Sequence, residues 1–357
     1  MAGADKSDTP TSMAEFLATR AGVRGLVESG VASVPPFFEA PCSDSTPALS
    51  TTLSVPTVDL SGPRSATVAA VGAAARSCGF FHVINHGVED GAVVSAVQAF
   101  HELPRALRSA LYTLRPVGGI CYSTVPNTGG QYADRLLSWR DYLRVLLQNS
   151  PAPDVGRIPA FCRHALMEYR RRIEEFGKEI TGLLSEALGV GAERLHMATQ
   201  VEAWVMTGHY YPPCPEPERV VGAAEHTDPS MYTVLAQDHI GGLQVHLHDG
   251  GWADVQPVPG ALLVNIGDVL KLVSNDEYKS VEHRVRIKSS VDPRVSVATF
   301  FNPAKCGDSR LLGPLPELVT PEKPARYRNF TMTEFLNTRA EFGHSSCSTD
   351  HFRVPVE

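Results

Sequence analysis

The chain predicts an α+β fold, mainly β: a double-stranded β-helix (jelly roll) core with an N-terminal helical region. Three observations carry this. From Val201 onward, eight short segments rich in Val, Thr, Tyr and Leu follow at regular spacing, closed by turn residues such as Asp249-Gly250-Gly251 and Pro259-Gly260. That spacing belongs to a sandwich or barrel. Upstream the period is helical, with Leu166, Tyr169, Ile173, Phe176 and Ile180 on one stripe. The 29 glycines and 27 prolines among 357 residues supply the turns while staying below a disordered or collagen-like composition.

The elements follow in order. Residues 1–50, rich in Ser, Thr, Pro and Ala, read as a mobile N-terminal arm with a short helix around 13–21 and the extended run Val34-Pro35-Pro36-Phe37-Phe38. A mixed helical region covers 51–200. In it we place a strand at 54–60, an Ala/Val helix at 64–78 and a strand at 80–85 that is able to extend the sheet. Helices at 90–101 and 104–111, a glycine-rich loop at 118–130 and a strand-like run at 139–147 come next. A long helix at 159–188 is ended by Gly189. The jelly-roll core spans 201–305, with strands at 203–211, 222–227, 232–236, 243–247, 252–258, 261–266, 281–287 and 295–301, and one or two helical turns at 268–274. Residues 306–357 form a tail packing on the core, with a helix at 331–339 capped by Thr331 and Glu334.

The net charge of −7 leaves no basic excess to neutralise phosphates, which argues against nucleic acid and anionic membranes as partners. No apolar stretch reaches spanning length, and the polar start carries no secretory pattern. The seven cysteines are scattered without a Cys-x-x-Cys, so they read as reduced thiols of a cytoplasmic protein. A mixed, negative surface is compatible with a monomer.

The chemistry concentrates in one constellation. His226 and Asp228 stand at i and i+2, and on a strand that spacing puts both side chains on one face. His283 follows in a second strand-like segment. Two imidazoles and one carboxylate make the set that holds non-haem Fe(II) and leaves coordination positions open for co-substrate and dioxygen. Arg294-Val295-Ser296 then pairs a guanidinium with a hydroxyl on one strand face, which suits a buried carboxylate. A lone His-x-Asp is common by chance, and a lone arginine is an ordinary strand residue. The joint spacing is far more specific than its parts.

The sequence resembles the plant 2-oxoglutarate- and Fe(II)-dependent dioxygenases. The likeness lies in Gly79-Phe80-Phe81-His82-Val83-Ile84-Asn85-His86-Gly87, His209-Tyr210-Tyr211-Pro212-Pro213-Cys214-Pro215, His226-Thr227-Asp228, Gly241-Gly242-Leu243-Gln244-Val245, Asn265-Ile266-Gly267-Asp268, His283-Arg284 and Arg294-Val295-Ser296. It runs over nearly the whole chain. The segments Ala21-Gly22-Val23-Arg24-Gly25 and Ser138-Trp139-Arg140-Asp141 are similar to the branch of aminocyclopropane-carboxylate oxidase homologues that includes benzoxazinoid-glucoside dioxygenases.

This resemblance implies that His226, Asp228 and His283 bind Fe(II). It implies that Tyr211, Arg294 and Ser296 hold 2-oxoglutarate, and that ascorbate serves as reductant. With dioxygen, such an enzyme oxidises a small-molecule substrate, most simply by hydroxylation, and releases succinate and CO2. The carboxylate of Asp228 argues against halogenation, because family halogenases lack it. His209 departs from the asparagine often found there and reads as a tuning residue beside the site. For substrate contacts, Phe300 and Asn302 continue the alternation from Ser296, and Tyr232 lies four positions past Asp228. All three are expected to face the same cavity, with plain core packing as the alternative for Phe300 and Tyr232. His82, His86, His239, His246 and His248 read as structural or solvated. Two other functions stay open: an ascorbate-dependent aminocyclopropane-carboxylate oxidase forming ethylene, and a non-catalytic cupin-like binding protein. The complete triad and the Arg-x-Ser pair argue against the last.

Overall fold

The computed structural model describes residues 10–40, 52–125, 137–147, 152–247, 250–303, 310–343 and 346–355. Along the chain the elements are α1 (Met13–Ala18), α2 (Gly22–Glu28), β1 (Thr52–Leu53), β2 (Thr57–Asp59), α3 (Arg64–Ser77), β3 (Phe80–Ile84), α4 (Asp90–His101), α5 (Arg105–Leu111), β4 (Ile120–Ser123) and β5 (Asp141–Leu146). Then come α6 (Ala160–Ala187), α7 (Arg194–Thr199), β6 (Glu202–Tyr211), β7 (Ala223–His226), β8 (Tyr232–Gln237), β9 (Leu243–His246), β10 (Trp252–Val255), β11 (Leu262–Ile266), α8 (Asp268–Val273), β12 (His283–Val285), β13 (Arg294–Asn302) and α9 (Met332–Phe342).

The strands form two sheets. One has five strands in the order β1-β10-β9-β12-β7; the other has eight in the order β2-β3-β11-β8-β13-β6-β5-β4. The eight strands β6 to β13 divide four and four between them, the double-sheet arrangement expected from the sequence. β3 does extend the sheet, antiparallel to β11, with Leu263 opposite His82.

Period-two alternation sorts the larger sheet into two faces. Phe81, Val83, Val234, Ala236, Val264, Ile266, Val295, Val297 and Phe301 go outward into the main hydrophobic core, under the helices. The intervening residues, among them Phe80, Thr233, Leu235, Asn265, Ser296 and Ala298, face the space between the sheets. Helix α6 closes the outer face with Leu166, Tyr169, Ile173, Phe176 and Ile180, which keep the i, i+3, i+4, i+7 spacing and are all buried. Each such fully buried side chain contributes about 1.5–3 kcal/mol. Gly177 permits the close approach, since a Cβ there would stand 2.1 Å from the Phe301 ring. Thr331 caps α9 by accepting from the Glu334 N–H at 3.1 Å.

Two expectations change. Residues 10–40 are not a loose arm: Phe16, Val23, Leu26 and Phe38 are buried around Trp139 in a second apolar cluster. Part of the glycine-rich stretch is strand, because Ile120–Ser123 pairs antiparallel with β5. His248 and residues 126–130 of that stretch lie outside the described residues. No helix among the described residues is long and apolar enough to cross a membrane.

Candidate metal centre and its cavity

Antiparallel pairing of β12 with β7 puts His283 directly opposite His226, and their ring centroids lie 4.3 Å apart. Each ring is oriented by its own backbone. His226 Nδ1 lies 2.8 Å from the Ala224 carbonyl, and His283 Nδ1 lies 3.2 Å from that of Val281. A carbonyl only accepts, so Nδ1 carries the proton and the Nε2 lone pair is left bare. Asp228 enters from the turn after β7. Its Oδ2 accepts from Asn265 at 2.8 Å and from the Thr233 hydroxyl at 2.6 Å. Its Oδ1 points at both Nε2 atoms, 3.7 Å from His226 and 3.9 Å from His283. The three donor atoms lie within 4.8 Å of one another.

Charge and burial favour the metal-binding forms of His226 and Asp228. Burial, then the neighbouring His283, pushes the His226 imidazole down to about 3. Burial opposes ionisation of Asp228, but the two imidazoles and the Asn265 and Thr233 hydrogen bonds outweigh it, so its carboxyl sits below the ordinary range. Two imidazoles with Nε2 turned to one carboxylate oxygen, and outer hydrogen bonds on every ligand, fit a divalent iron.

The turn carrying Asp228 is itself clamped. The Asp228 carbonyl accepts from the Asp268 N–H at 2.8 Å, and the Thr227 hydroxyl donates to the Asp268 carboxylate at 2.8 Å. Arg339, from α9, pairs with that carboxylate and donates to the Thr227 carbonyl at 2.7 Å.

The triad opens on a cavity of about 500 Å³, counted out to its mouth. Arg294, Ser296, Tyr211, His209, Arg140 and Phe300 line it beside the apolar Phe80, Leu235, Leu243 and Val285. Arg294 is buried and donates to Ser296 Oγ at 3.0 Å and Gln237 Oε1 at 2.9 Å, while its guanidinium lies over the Tyr211 ring at 4.9 Å. Its Nε–H is buried with no partner among the described residues. A buried cation with an unmet donor, facing a cavity, is built to meet an anion. His209 sits opposite Ser296 on β6, and its imidazole is held well below the ordinary value by burial and then by Arg140, Arg144 and Arg294.

Two expected substrate contacts do not hold. Tyr232 faces the opposite side: its hydroxyl donates to the Gly177 carbonyl at 2.8 Å, and its ring stacks on Phe301 at 4.7 Å. The reason is that β7 ends at His226 and the 227–231 turn resets the alternation. Asn302 is buried past the end of the cavity wall, which stops at Phe300. Asn265 and Thr233 had no assigned role in the sequence reading. A lone amide in the apolar run Leu262-Leu263-Val264-Asn265-Ile266 was the available signal for the first.

Two family models match the chain. One describes the 2OG-Fe(II) oxygenase superfamily and covers residues 204–303; the other describes the non-haem dioxygenase in morphine synthesis N-terminal region and covers residues 55–159. The chain belongs to the 2OG-Fe(II) oxygenases. It is a dioxygenase that uses Fe(II) and 2-oxoglutarate. Among its relatives is "1-aminocyclopropane-1-carboxylate oxidase homolog 1" of Arabidopsis thaliana, 38% identical over 92% of each chain. The oxygenase is also similar to a crystal structure of JOX2 in complex with 2OG, Fe and JA, with 31% identity, a TM-score of 0.81 and coverage of 94% of this chain and 98% of the other. A rice dioxygenase for auxin oxidation is 25% identical, with a TM-score of 0.68 over 84% of this chain and all of its own.

Proposed function

We propose that this oxygenase hydroxylates a plant specialised metabolite, an aromatic or glycosylated small molecule. The supporting observation is that three bare metal donors and a buried guanidinium with an unmet N–H line one cavity. In this reading His226 Nε2, Asp228 Oδ1 and His283 Nε2 hold the iron. Bound there, Fe(II) supplies the redox chemistry that couples dioxygen and 2-oxoglutarate to substrate oxidation, succinate and CO2. The Ala224 and Val281 carbonyls keep the imidazoles turned and unprotonated at Nε2. Asn265 and Thr233 occupy Oδ2 of Asp228, so only Oδ1 is left to coordinate. Arg294 and Ser296 orient the distal carboxylate of 2-oxoglutarate, with the Tyr211 ring as a floor under the guanidinium. Phe80, Leu235, Leu243 and Val285 keep water from the far walls. Phe300 offers a half-buried ring to a planar substrate.

Buried thiols at Cys121, Cys162 and Cys214, none of them in a disulfide, support a cytoplasmic enzyme, and we take it to act as a monomer with ascorbate as reductant. The test is a screen of the Fe(II)-loaded protein against phenolics, benzoxazinoid glucosides and related metabolites. Succinate formed one-for-one with an oxygenated product supports the reading. The names of the relatives keep one rival in view: ethylene formed from aminocyclopropane-carboxylate without 2-oxoglutarate consumption would replace it.

A further inference from the structure

The cavity wall holds two guanidinium groups, and only one has partners among the described residues. Arg294 is tied to Ser296 and Gln237. Arg140 lines the same cavity, half-buried, and its side chain makes no hydrogen bond or ion pair with any described residue.

Its backbone is nevertheless fixed on both sides. Trp139 before it is buried, packs edge-on against Phe38 at 5.1 Å and donates its ring N–H to the Pro212 carbonyl at 3.2 Å. Asp141 after it is buried and accepts from the Val23 and Arg24 N–H groups, each at 2.9 Å, and from the Thr124 hydroxyl at 2.6 Å. Gly22 makes that contact possible, because a Cβ there would lie 2.6 Å from the Asp141 carboxylate oxygens and its φ is +69°. The run Trp139-Arg140-Asp141 therefore anchors its outer residues in the fold and holds the middle one at the cavity. The charged side chains lining the cavity are Arg140 and Arg294, with Asp228 turned to the two histidines.

2-Oxoglutarate brings two carboxylates, one for the metal and one for Arg294. Arg140 remains for a third. We propose that Arg140 binds a carboxylate of the primary substrate, so that the enzyme selects acids over their neutral amides and esters. This rests on the reading of the cavity as the oxidation site, and it narrows the substrate class from aromatic or glycosylated metabolites in general to those carrying an acid group.

The test measures binding apart from turnover. Aromatic and alicyclic monocarboxylates, each paired with its primary amide, are titrated calorimetrically into the Fe(II)- and 2-oxoglutarate-loaded protein without oxygen. At least one acid is expected to bind about tenfold or more tighter than its amide, the range of a hydrogen bond to a charged group. Arg140→Gln should bring that ratio close to one, and Arg140→Lys should retain part of it. Neither should change 2-oxoglutarate affinity more than about twofold, whereas Arg294→Gln should weaken it. Amides binding as well as acids, or an acid preference that survives Arg140→Gln, would overturn the proposal. So would a loss of 2-oxoglutarate affinity in Arg140→Gln, because that assigns Arg140 to the co-substrate. Acids that bind through Arg140 yet yield no succinate in air would instead sink the oxidation reading and leave this one standing.

Discussion

Removal of Arg339 tests how the C-terminal helix holds the metal turn. In Arg339→Met the buried Asp268 loses its cation, and Thr227 loses the guanidinium that donates to its carbonyl and hydroxyl. Both partners of the ion pair are buried, with side-chain exposures of 3% and 0%. An uncompensated buried charge of this kind costs about 3–5 kcal/mol, far above a surface pair. Burial already pushes the Asp268 carboxyl upward, and Arg339 is the main opposing influence, so the variant raises it further. A carboxyl raised in the folded state stabilises below its unfolded value and loses that contribution as pH rises through the folded one. The deficit should therefore shrink as pH is lowered toward 4. Urea unfolding of wild type, Arg339→Met and Arg339→Met/Asp268→Leu reads this directly, and the double variant should be less destabilised than the single. A loss under about 1 kcal/mol in the single variant, or a double variant worse than the single, would refute the clamp.

Other consequences follow from the same contacts. Asn265→Leu leaves Oδ2 of Asp228 with Thr233 alone and should weaken Fe(II) binding about 10- to 100-fold in a metal titration while the fold persists; unchanged affinity would mean that the amide does not orient the ligand. Gly177→Ala drives a methyl into Phe301 and should cost at least about 1–3 kcal/mol, seen as a lower Tm. His101 is fully buried and pushed down to about 3, chiefly by burial, so the unfolded chain takes up its proton first as pH falls. Its contribution is complete above about pH 6.5 and is lost toward pH 3, roughly 2 kcal/mol of it by pH 5. His101→Phe should flatten that part of the stability-pH profile, and an unaltered slope in urea unfolding would count against it.

Legibility in the sequence followed sequence distance and periodicity. The jelly-roll strands and the buried stripe of α6 could be read because both are local patterns, repeated at two residues in one case and at three or four in the other. His226, Asp228, His283, Arg294 and Ser296 could be singled out because the site takes them from three short segments. What failed was phase. Asp228 comes to the site from a turn rather than from the strand, so counting in twos across that turn placed Tyr232 on the wrong face. What stayed hidden depends on contacts between distant segments. Asp141 reaching the start of α2, and Arg339 reaching Asp268, leave no periodic trace. Residues 10–40 depart from the tail their composition suggests because Phe38 packs on Trp139, supplied by a segment far along the chain, and Phe16 packs on Phe38 in the same cluster.

The central claim is that one cavity holds iron on His226, Asp228 and His283 and 2-oxoglutarate on Arg294. Anomalous diffraction at the iron edge, from crystals of the Fe(II)·2-oxoglutarate complex grown without oxygen, tests it most directly. The account predicts one iron peak within bonding distance of both Nε2 atoms and Asp228 Oδ1, with the distal carboxylate of 2-oxoglutarate against Arg294 and Ser296. Iron on any other set of atoms, or that carboxylate seated on Arg140 with Arg294 left unmet, would contradict it.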